Sequence, residues 1–371
     1  MTRHDIRLVN WFTKPPSLST GPRVTKVRHS LKDVARHASV SVATVSRYLN
    51  GNLDLPANTR GRIDAAVTRL DYTPNPHARR LSLGRSDSIA LILPDIANPF
   101  FSRLAAAIAS RAEESGQMVT LHATMNRPDR EAAAVEAAGR NMVDGLILVT
   151  DHVPDDEVLR HLGRLSRIVV LDEGVSANAP CVLCDNRQGG ELAGRHLWTT
   201  GHRRVGYIGG RADLPGTVAR LDGLREGMHG IAPVSVYADS HTRTSGRELA
   251  LRFLERRRGE TALFVGSDEL CVGVLEIFRE RGVRVPDDVS IISFDDVRPL
   301  HLFAPAITAI TQPVERLGQC AVDLLLRGDW TDPAIRTEIR RLPVHLTERA
   351  SVRRIEPRQE TIEPTNKETR S

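Results

Sequence analysis

Apolar residues near the start of the chain recur at helical spacing and predict three short helices between residues 30 and 72. In the first helix Val34 and Ala38 lie on one face, and Ser30 precedes them as a cap. The third helix runs from about Ala57 to Leu70. Two short helices joined by a tight turn, with a third packed beneath them, describe a helix-turn-helix.

The second helix, predicted from Val42 to Asn50, carries an outward polar face. Ser41 is placed to cap its start by accepting a backbone N–H bond. Val45 and Leu49 point to the core, and the opposite face offers donors to phosphates and base edges. On that face Arg47 can pair with guanine. The alternative is a small polar helix on the surface of an enzyme.

From Ser88 onward, apolar runs of strand length alternate with helical patterns of roughly 10–15 residues. The runs are Ile89–Leu93, Val119–His122, Gly145–Val149, Ile168–Leu171, Val205–Ile208, Leu263–Val265 and Val289–Phe294. Strands that alternate with helices imply parallel sheets with right-handed crossovers. The region is large for one open sheet, so we expect two sheets with a cleft between them.

These patterns divide the chain into five segments. They are a mostly disordered basic arm at 1–29, a helix-turn-helix unit at 30–73, a linker at 74–86, a two-lobed core at 87–349 and a disordered tail at 350–371. The tail is polar and charged and has no leucine heptad, so we expect no tetramer formed by such a heptad.

Charge separates the two ends of the chain. Residues 1–86 hold 15 Lys and Arg against 5 Asp and no Glu, whereas the rest holds 36 basic and 41 acidic residues. This asymmetry points to a polyanion partner for the first part alone, although a solvated basic tail would show the same charge. Together with the helix-turn-helix pattern, it favours double-stranded DNA as the partner.

Several other classes of protein are disfavoured. No apolar run reaches the ~18 residues of a membrane span, and the N-terminus lacks the apolar core of a secretory signal, so we expect a cytoplasmic protein without a membrane partner. Cys181 and Cys184 form C-x-x-C, but no second pair completes a zinc site, so we expect no metal and no cofactor. The motifs of metalloproteases and serine hydrolases are missing, so we expect no enzyme.

Short motifs spread over roughly residues 30–349 then connect these patterns to a family. They are DVA at 33–35, VSVATVSR at 40–47, NG at 50–51, PN at 74–75, ARRL at 78–81, NPFF at 98–101 and SFDD at 293–296. In these motifs the chain resembles the lactose/galactose repressor (LacI-type) family of transcriptional regulators.

The resemblance implies an α/β fold that begins with a three-helix DNA-binding headpiece at 30–73 and a hinge at 74–86. An effector-binding and dimerisation core follows at 87–349, with two lobes of doubly wound parallel sheet like those of periplasmic binding proteins. It implies a ligand-responsive repressor of carbohydrate-related genes that binds pseudo-palindromic operator DNA as a homodimer. The DNA-binding residues it implies are Ser41, Val42, Ala43, Thr44, Ser46, Arg47, Asn50, Ala78, Arg79 and Leu81. Leu81 would enter the minor groove as an apolar wedge.

Ligands of open α/β sheets bind beyond the carboxyl ends of the strands, so the loops there predict the effector site. The predicted effector-binding residues are Asp95, Phe101, Asp172, Arg220, Ser267 and Asp295. Carboxylates accept hydroxyl hydrogens and Arg donates a rigid fork, which suits a sugar or sugar derivative. Asp268 is equally open to a helix-capping role, Asp95 to a loop or capping role, and Phe101 to a core role. Ser267 stands where many sugar-binding members carry Asn, so no particular sugar is carried over.

Three alternatives remain open at this point. The effector could be of the purine type. The chain could be a sugar-binding solute receptor, although the basic headpiece argues against it. It could also be an α/β enzyme that uses Asp172 and Asp295 as an acid/base pair, although no activated nucleophile accompanies them.

Overall fold

A computed structural model describes residues 29–73, 86–140, 143–174, 178–230, 232–327 and 330–356. The chain separates into two compact units, Met1–Gly84 and Arg85–Ser371. The predicted arm and hinge, with Ala78, Arg79 and Leu81, lie outside the described residues apart from residues 29 and 86. In the described segments, no helix is long and apolar enough to cross a bilayer.

The first unit contains the three predicted helices, α1 (Leu31–Ala38), α2 (Val42–Leu49) and α3 (Ala57–Arg69). Val34, Val45 and Ile63, one from each helix, are fully buried together and form the centre of its core. Helices α2 and α3 each end one residue before the predicted end. The predicted helix-turn-helix is therefore confirmed.

The second unit alternates strands and helices. Its described strands are β1 (Ser88–Leu93), β2 (Met118–Ala123), β3 (Gly145–Val149), β4 (Ile168–Leu171), β5 (Cys181–Cys184), β6 (Val205–Gly209), β7 (Val234–Ala238), β8 (Ala262–Val265), β9 (Ser290–Phe294), β10 (Thr308–Thr311), β11 (Ile339–Leu342) and β12 (His345–Thr347). Its described helices are α4 (Pro99–Glu114), α5 (Pro128–Arg140), α6 (Asp156–Leu162), α7 (Asn186–Thr199), α8 (Pro215–Gly227), α9 (Arg243–Arg256), α10 (Asp268–Glu280), α11 (Arg298–Leu302) and α12 (Val314–Leu325).

The described strands form two six-stranded sheets, one in each lobe. The first has the order β11-β5-β4-β3-β1-β2 and the second β12-β10-β9-β8-β6-β7. All neighbouring strands are parallel except β10 and β12. The chain passes from the first sheet to the second after β5, returns before β11, and crosses again before β12. This arrangement confirms the predicted α/β fold with two lobes.

The sequence pattern did not reveal β7, β10, β11 and β12. β11 reads Ile-Arg-Arg-Leu and β12 His-Leu-Thr, so neither presents an apolar run. The packed core also continues past the predicted boundary at residue 349. Ser351 is fully buried, and its hydroxyl donates to the Ile291 carbonyl at 2.6 Å. The Ile355 N–H donates to the Thr200 carbonyl at 2.7 Å, so residues 350–356 pack on the second lobe.

Candidate functional site

The described part of the DNA-binding prediction lies on and next to α2. Ser41 caps the helix: its Oγ accepts the Thr44 N–H at 3.0 Å, and the two hydroxyls lie 2.7 Å apart. Ser41, Val42 and Ala43 are exposed at the start of the helix. The N-terminal end of α2 therefore presents a small, mostly apolar surface to solvent.

Arg47 lies one turn further along the same side of α2 and is exposed. Among the described residues its guanidinium makes no ion pair, which leaves its donors available. Thr44, Ser46 and Asn50 are half-buried, and the next residue inward, Val45, is fully buried. Helix α2 is therefore held by its apolar face while its opposite face stays accessible.

The second candidate site is a cavity between the lobes of the second unit, here called the interlobe cleft. It encloses about 390 Å³ including its mouth. Its lining residues are Asn98, Phe100, Phe101, Asp151, Asp172, Glu173, Arg220, His241, Ser267, Asp268, Asp295 and Gln312. Both lobes contribute side chains, which the topology explains because the carboxyl ends of both sheets face this cavity.

The structure brings five of the six predicted effector residues together there: Phe101, Asp172, Arg220, Ser267 and Asp295. Asp95 does not line the cleft. Its Oδ1 accepts the Ala97 N–H at 2.8 Å, which is the loop role that the sequence left open.

Arg220, on α8, is fixed by several contacts. Its Nε donates to Asn186 Oδ1 at 2.7 Å, and its Nη1 donates to the Gly266 carbonyl. The guanidinium carbon lies 3.7 Å from the centre of the Phe294 ring, in a cation–π contact. With these contacts on one side, the remaining N–H donors are the ones that can bind a ligand.

Two neighbouring loops of the second lobe complete that side of the cleft. Gln312 follows β10 and donates from Nε2 to Asp295 Oδ1. Ser267, not Asp268, caps α10 by accepting the Leu270 N–H at 3.4 Å. Asp268 is 1 % exposed, and its Oδ2 is buried without a hydrogen-bond partner. Its Oδ1 accepts the Glu269 N–H at 2.8 Å, so Oδ2 is the oxygen available to a ligand.

The first lobe contributes an aromatic pair and three carboxyl groups. Phe100 and Phe101 meet edge to face with their ring centres 5.3 Å apart, and both are largely buried. Asp151 follows β3, and Asp172 and Glu173 follow β4. This side of the cleft is therefore acidic.

Burial is the main cause of unusual pKa values in the cleft. It raises the pKa of Asp151 and Asp172 to about 7, with neighbouring carboxyl groups adding to the shift, and it raises the pKa of Glu173 to about 7. Burial and then Arg220 lower the pKa of His241 to about 3, so that ring is neutral. The cleft thus resists negative charge unless a partner compensates it.

Seven of the twelve described residues that line the cleft were not among the predicted effector-binding residues. Asp151 and Glu173 follow strands that were recognised, so the strand-end rule could have found them. Gln312 and His241 follow β10 and β7, which the apolar pattern did not reveal. The place of both residues in the cleft depends on how these two strands pair within the sheet, which no local sequence pattern indicates.

Comparison with known proteins agrees with the division of the chain into a helix-turn-helix unit and an α/β core. A profile of bacterial regulatory proteins of the lacI family matches residues 30–75, and a profile of the periplasmic binding protein-like domain matches residues 195–352. The HTH-type transcriptional repressor PurR of Proteus mirabilis (strain HI4320) is 32% identical over 305 residues, which cover 80% of this chain and 89% of PurR.

Two solved structures show the same architecture over most of the chain. A lac repressor dimer bound to operator and the anti-inducer ONPF has a TM-score of 0.76 and 27% identity, covering 88% of this chain and 99% of that one. A complex of the transcriptional regulator CelR with cellobiose has a TM-score of 0.65 and 29% identity, covering 87% of this chain and all of that one.

Proposed function

The chain belongs to the lacI family of bacterial regulatory proteins, and on that premise we propose that it represses carbohydrate-related genes as a homodimer on pseudo-palindromic operator DNA. A sugar or sugar derivative in the interlobe cleft switches its DNA affinity. Members of this family bind DNA and a small molecule and are not enzymes. The observation that carries the proposal is the convergence of Arg220 with carboxyl groups from both lobes around one cavity.

In this proposal α2 is the recognition helix. Val42 and Ala43 contact thymine methyl groups, while Arg47, which is exposed and has no ion pair within the described part of the chain, makes the strongest base contact. Ser41, Thr44, Ser46 and Asn50 position the helix against the DNA backbone. In the hinge, Ala78 and Arg79 contact the DNA and Leu81 kinks it through the minor groove.

The chemistry of the interlobe cleft supports a polyhydroxyl effector. Carboxyl groups accept hydroxyl hydrogens, Arg220 donates to hydroxyl oxygens, and the rings of Phe100 and Phe101 offer an apolar surface. Because PurR is among the relatives, a purine-type effector is the alternative; a flat base would leave most of these acceptors unpaired.

Exposed apolar residues on both lobes support a dimer. Leu302 is 78 % exposed and Phe303 is 40 % exposed at the end of α11. In the first lobe the edge strand β2 exposes Met118 and Leu121, and Met125 follows it. Apolar patches of this kind mark interaction surfaces, and a second copy of the chain would cover both lobes at once.

A contact between the lobes supplies the coupling. Glu173 of the first lobe accepts the Gly216 N–H, at the start of α8 in the second lobe, at 3.0 Å. A ligand that contacts the cleft beside both Glu173 and Gly216 favours one arrangement of the two lobes. A differential affinity of about 1–3 kcal/mol between two arrangements changes DNA affinity roughly 5- to 150-fold.

The test is selection of operator sequences from random duplexes by the full-length protein, followed by titration with sugars, sugar derivatives and purines. We expect a pseudo-palindromic consensus, binding that weakens steeply with salt, and a change in affinity with a sugar-type compound. Sequence-independent binding that no compound alters would contradict the proposal.

A further inference from the structure

The charge of the interlobe cleft is unbalanced. Among the described residues, five carboxyl groups line it, from Asp151, Asp172, Glu173, Asp268 and Asp295, against one guanidinium, that of Arg220. Among the described residues none of these carboxyl groups belongs to an ion pair at 4.0 Å or less. A neutral sugar would therefore leave buried carboxylates without a counter-charge, which is costly.

Nearby cations outside the lining are already engaged. Arg103 pairs with Glu315 at 2.8 Å and Arg211 with Asp213 at 2.6 Å. His152 Nε2 lies 3.4 Å from the buried Glu131 carboxyl. The neutral ring of His241 adds no positive charge. Compensation must therefore come from bound protons or from the ligand.

Buried acceptors without partners point into the same cavity. Asp268 Oδ2 and Gln312 Oε1 have no hydrogen-bond partner, and these residues are 1 % and 5 % exposed. Asp172 Oδ1 is a third such atom. All three are acceptors, so the cleft needs a ligand rich in donors. It would repel a phosphate or a carboxylate.

We propose that the effector carries an ammonium group beside its hydroxyl groups, as an amino sugar or amino polyol does, and that Asp151, Asp172 and Glu173 bind the ammonium. This inference rests on the proposed function and narrows its ligand class. An ammonium supplies three donors and one positive charge, and so satisfies both requirements at once. Glu173 Oε2 already accepts the Gly216 N–H, which leaves Oε1 for the ligand.

The experiment is calorimetric titration of the full-length protein at neutral pH with matched sets. Each set contains a neutral hexose, its 2-, 3- and 6-amino derivatives, the N-acetyl form of each amine, and the hexose 6-phosphate. We expect one amine to bind at least about tenfold tighter than its parent and its N-acetyl form, a difference of about 1.4 kcal/mol.

The Glu173→Gln variant keeps the shape and the Gly216 contact but removes the charge. We expect it to lose about tenfold in affinity for the amine and clearly less for the parent hexose, because an amide still hydrogen-bonds a hydroxyl but does not balance a positive charge. Glu113→Gln, at an exposed position near the end of α4, is the matched control and should change neither affinity.

Each other outcome is decisive. Tighter binding of a parent hexose, an N-acetyl form or a phosphate overturns the inference and leaves the proposed function standing. Binding of none of the amines overturns the inference as well. If Glu173→Gln loses the same affinity for the amine and for the parent hexose, Glu173 has a structural role, and the proposal that it binds the ammonium is overturned. Failure of the proposed function shows separately, as loss of operator selectivity.

Discussion

Gly190 of α7 and Arg220 of α8 approach so closely that a Cβ atom at Gly190 would overlap the carbonyl oxygen of Arg220. The reverse contact exists one turn away, where a Cβ atom at Gly223 would overlap the carbonyl oxygen of Arg187. These glycines let the two helix backbones touch. The position of Arg220 in the cleft therefore depends on a helix–helix contact in which the two backbones touch at these glycines.

The first prediction concerns this contact. Gly190→Ala should push α8 away and destabilise the protein by about 1–3 kcal/mol, because the overlapping atom is backbone. It should also weaken effector binding. Gly139→Ala is the control, since the nearest atom to its Cβ would be Leu165 Cδ2 at 3.5 Å, an ordinary contact. Urea unfolding with ligand titration measures both effects; equal stability of the two variants would contradict the contact.

Some residues of the cleft could be predicted from the sequence, whereas others are placed there only by the tertiary structure. Asp172 and Asp295 end recognisable apolar strands, so their place follows from the rule for open sheets. Arg220 was predicted from a loop-to-helix segment, whereas it lies within α8 and is buried there, which nothing local in the sequence indicates. Gln312 follows β10, a strand of only four residues that the apolar pattern did not reveal. Glu173 reaches Gly216 only once both lobes have assembled.

The second prediction concerns operator choice. Arg47→Ala should leave the fold intact, since the side chain is exposed, and should cost about 1–3 kcal/mol of discrimination at one base pair of each half-site. Arg69→Ala removes the same charge from an exposed position at the end of α3. That control should preserve sequence preference. Competitive binding to operators with single base changes is the measurement, and unchanged preference in Arg47→Ala would refute the recognition-helix assignment.

The third prediction separates effector response from DNA binding. Arg220→Ala should abolish the response to effector while the protein still binds operator. Arg220→Lys should fail too, because lysine lacks the planar group that both stacks on Phe294 and donates to Asn186. Operator titration with and without effector gives the result. A wild-type response from Arg220→Ala would place the ligand elsewhere.

The fourth prediction follows from the raised pKa values of Asp151, Asp172 and Glu173, each about 7 in the folded chain. Their ordinary values are 3.8 for Asp and 4.5 for Glu. Between the ordinary and raised values the folded chain holds more protons than the unfolded chain, so the free energy of unfolding falls as pH rises toward 7. Without ligand, these carboxyl groups should favour the folded state more near pH 5 than near pH 8, relative to a variant that lacks one of them.

Urea unfolding at several pH values between about 5 and 8 checks this prediction. Glu173→Gln should flatten the dependence seen in the wild type, because one titrating group is gone. Asp288→Asn is the control: Arg284 lowers the pKa of Asp288 to about 2, so it titrates below this range. Parallel curves for the wild type and Glu173→Gln would show that Glu173 has no raised pKa.

The last prediction concerns the proposed dimer. Leu302→Glu introduces a charge at the most exposed large apolar side chain of the described residues, next to Phe303. If a second copy covers this surface, the two introduced charges become desolvated, and the protein should become monomeric at micromolar concentration and lose most of its operator affinity. Val153→Glu, at a position 49 % exposed in the first lobe, is the control and should remain dimeric. Sedimentation velocity distinguishes the two forms, and a Leu302→Glu dimer that binds operator normally would place the interface on another surface.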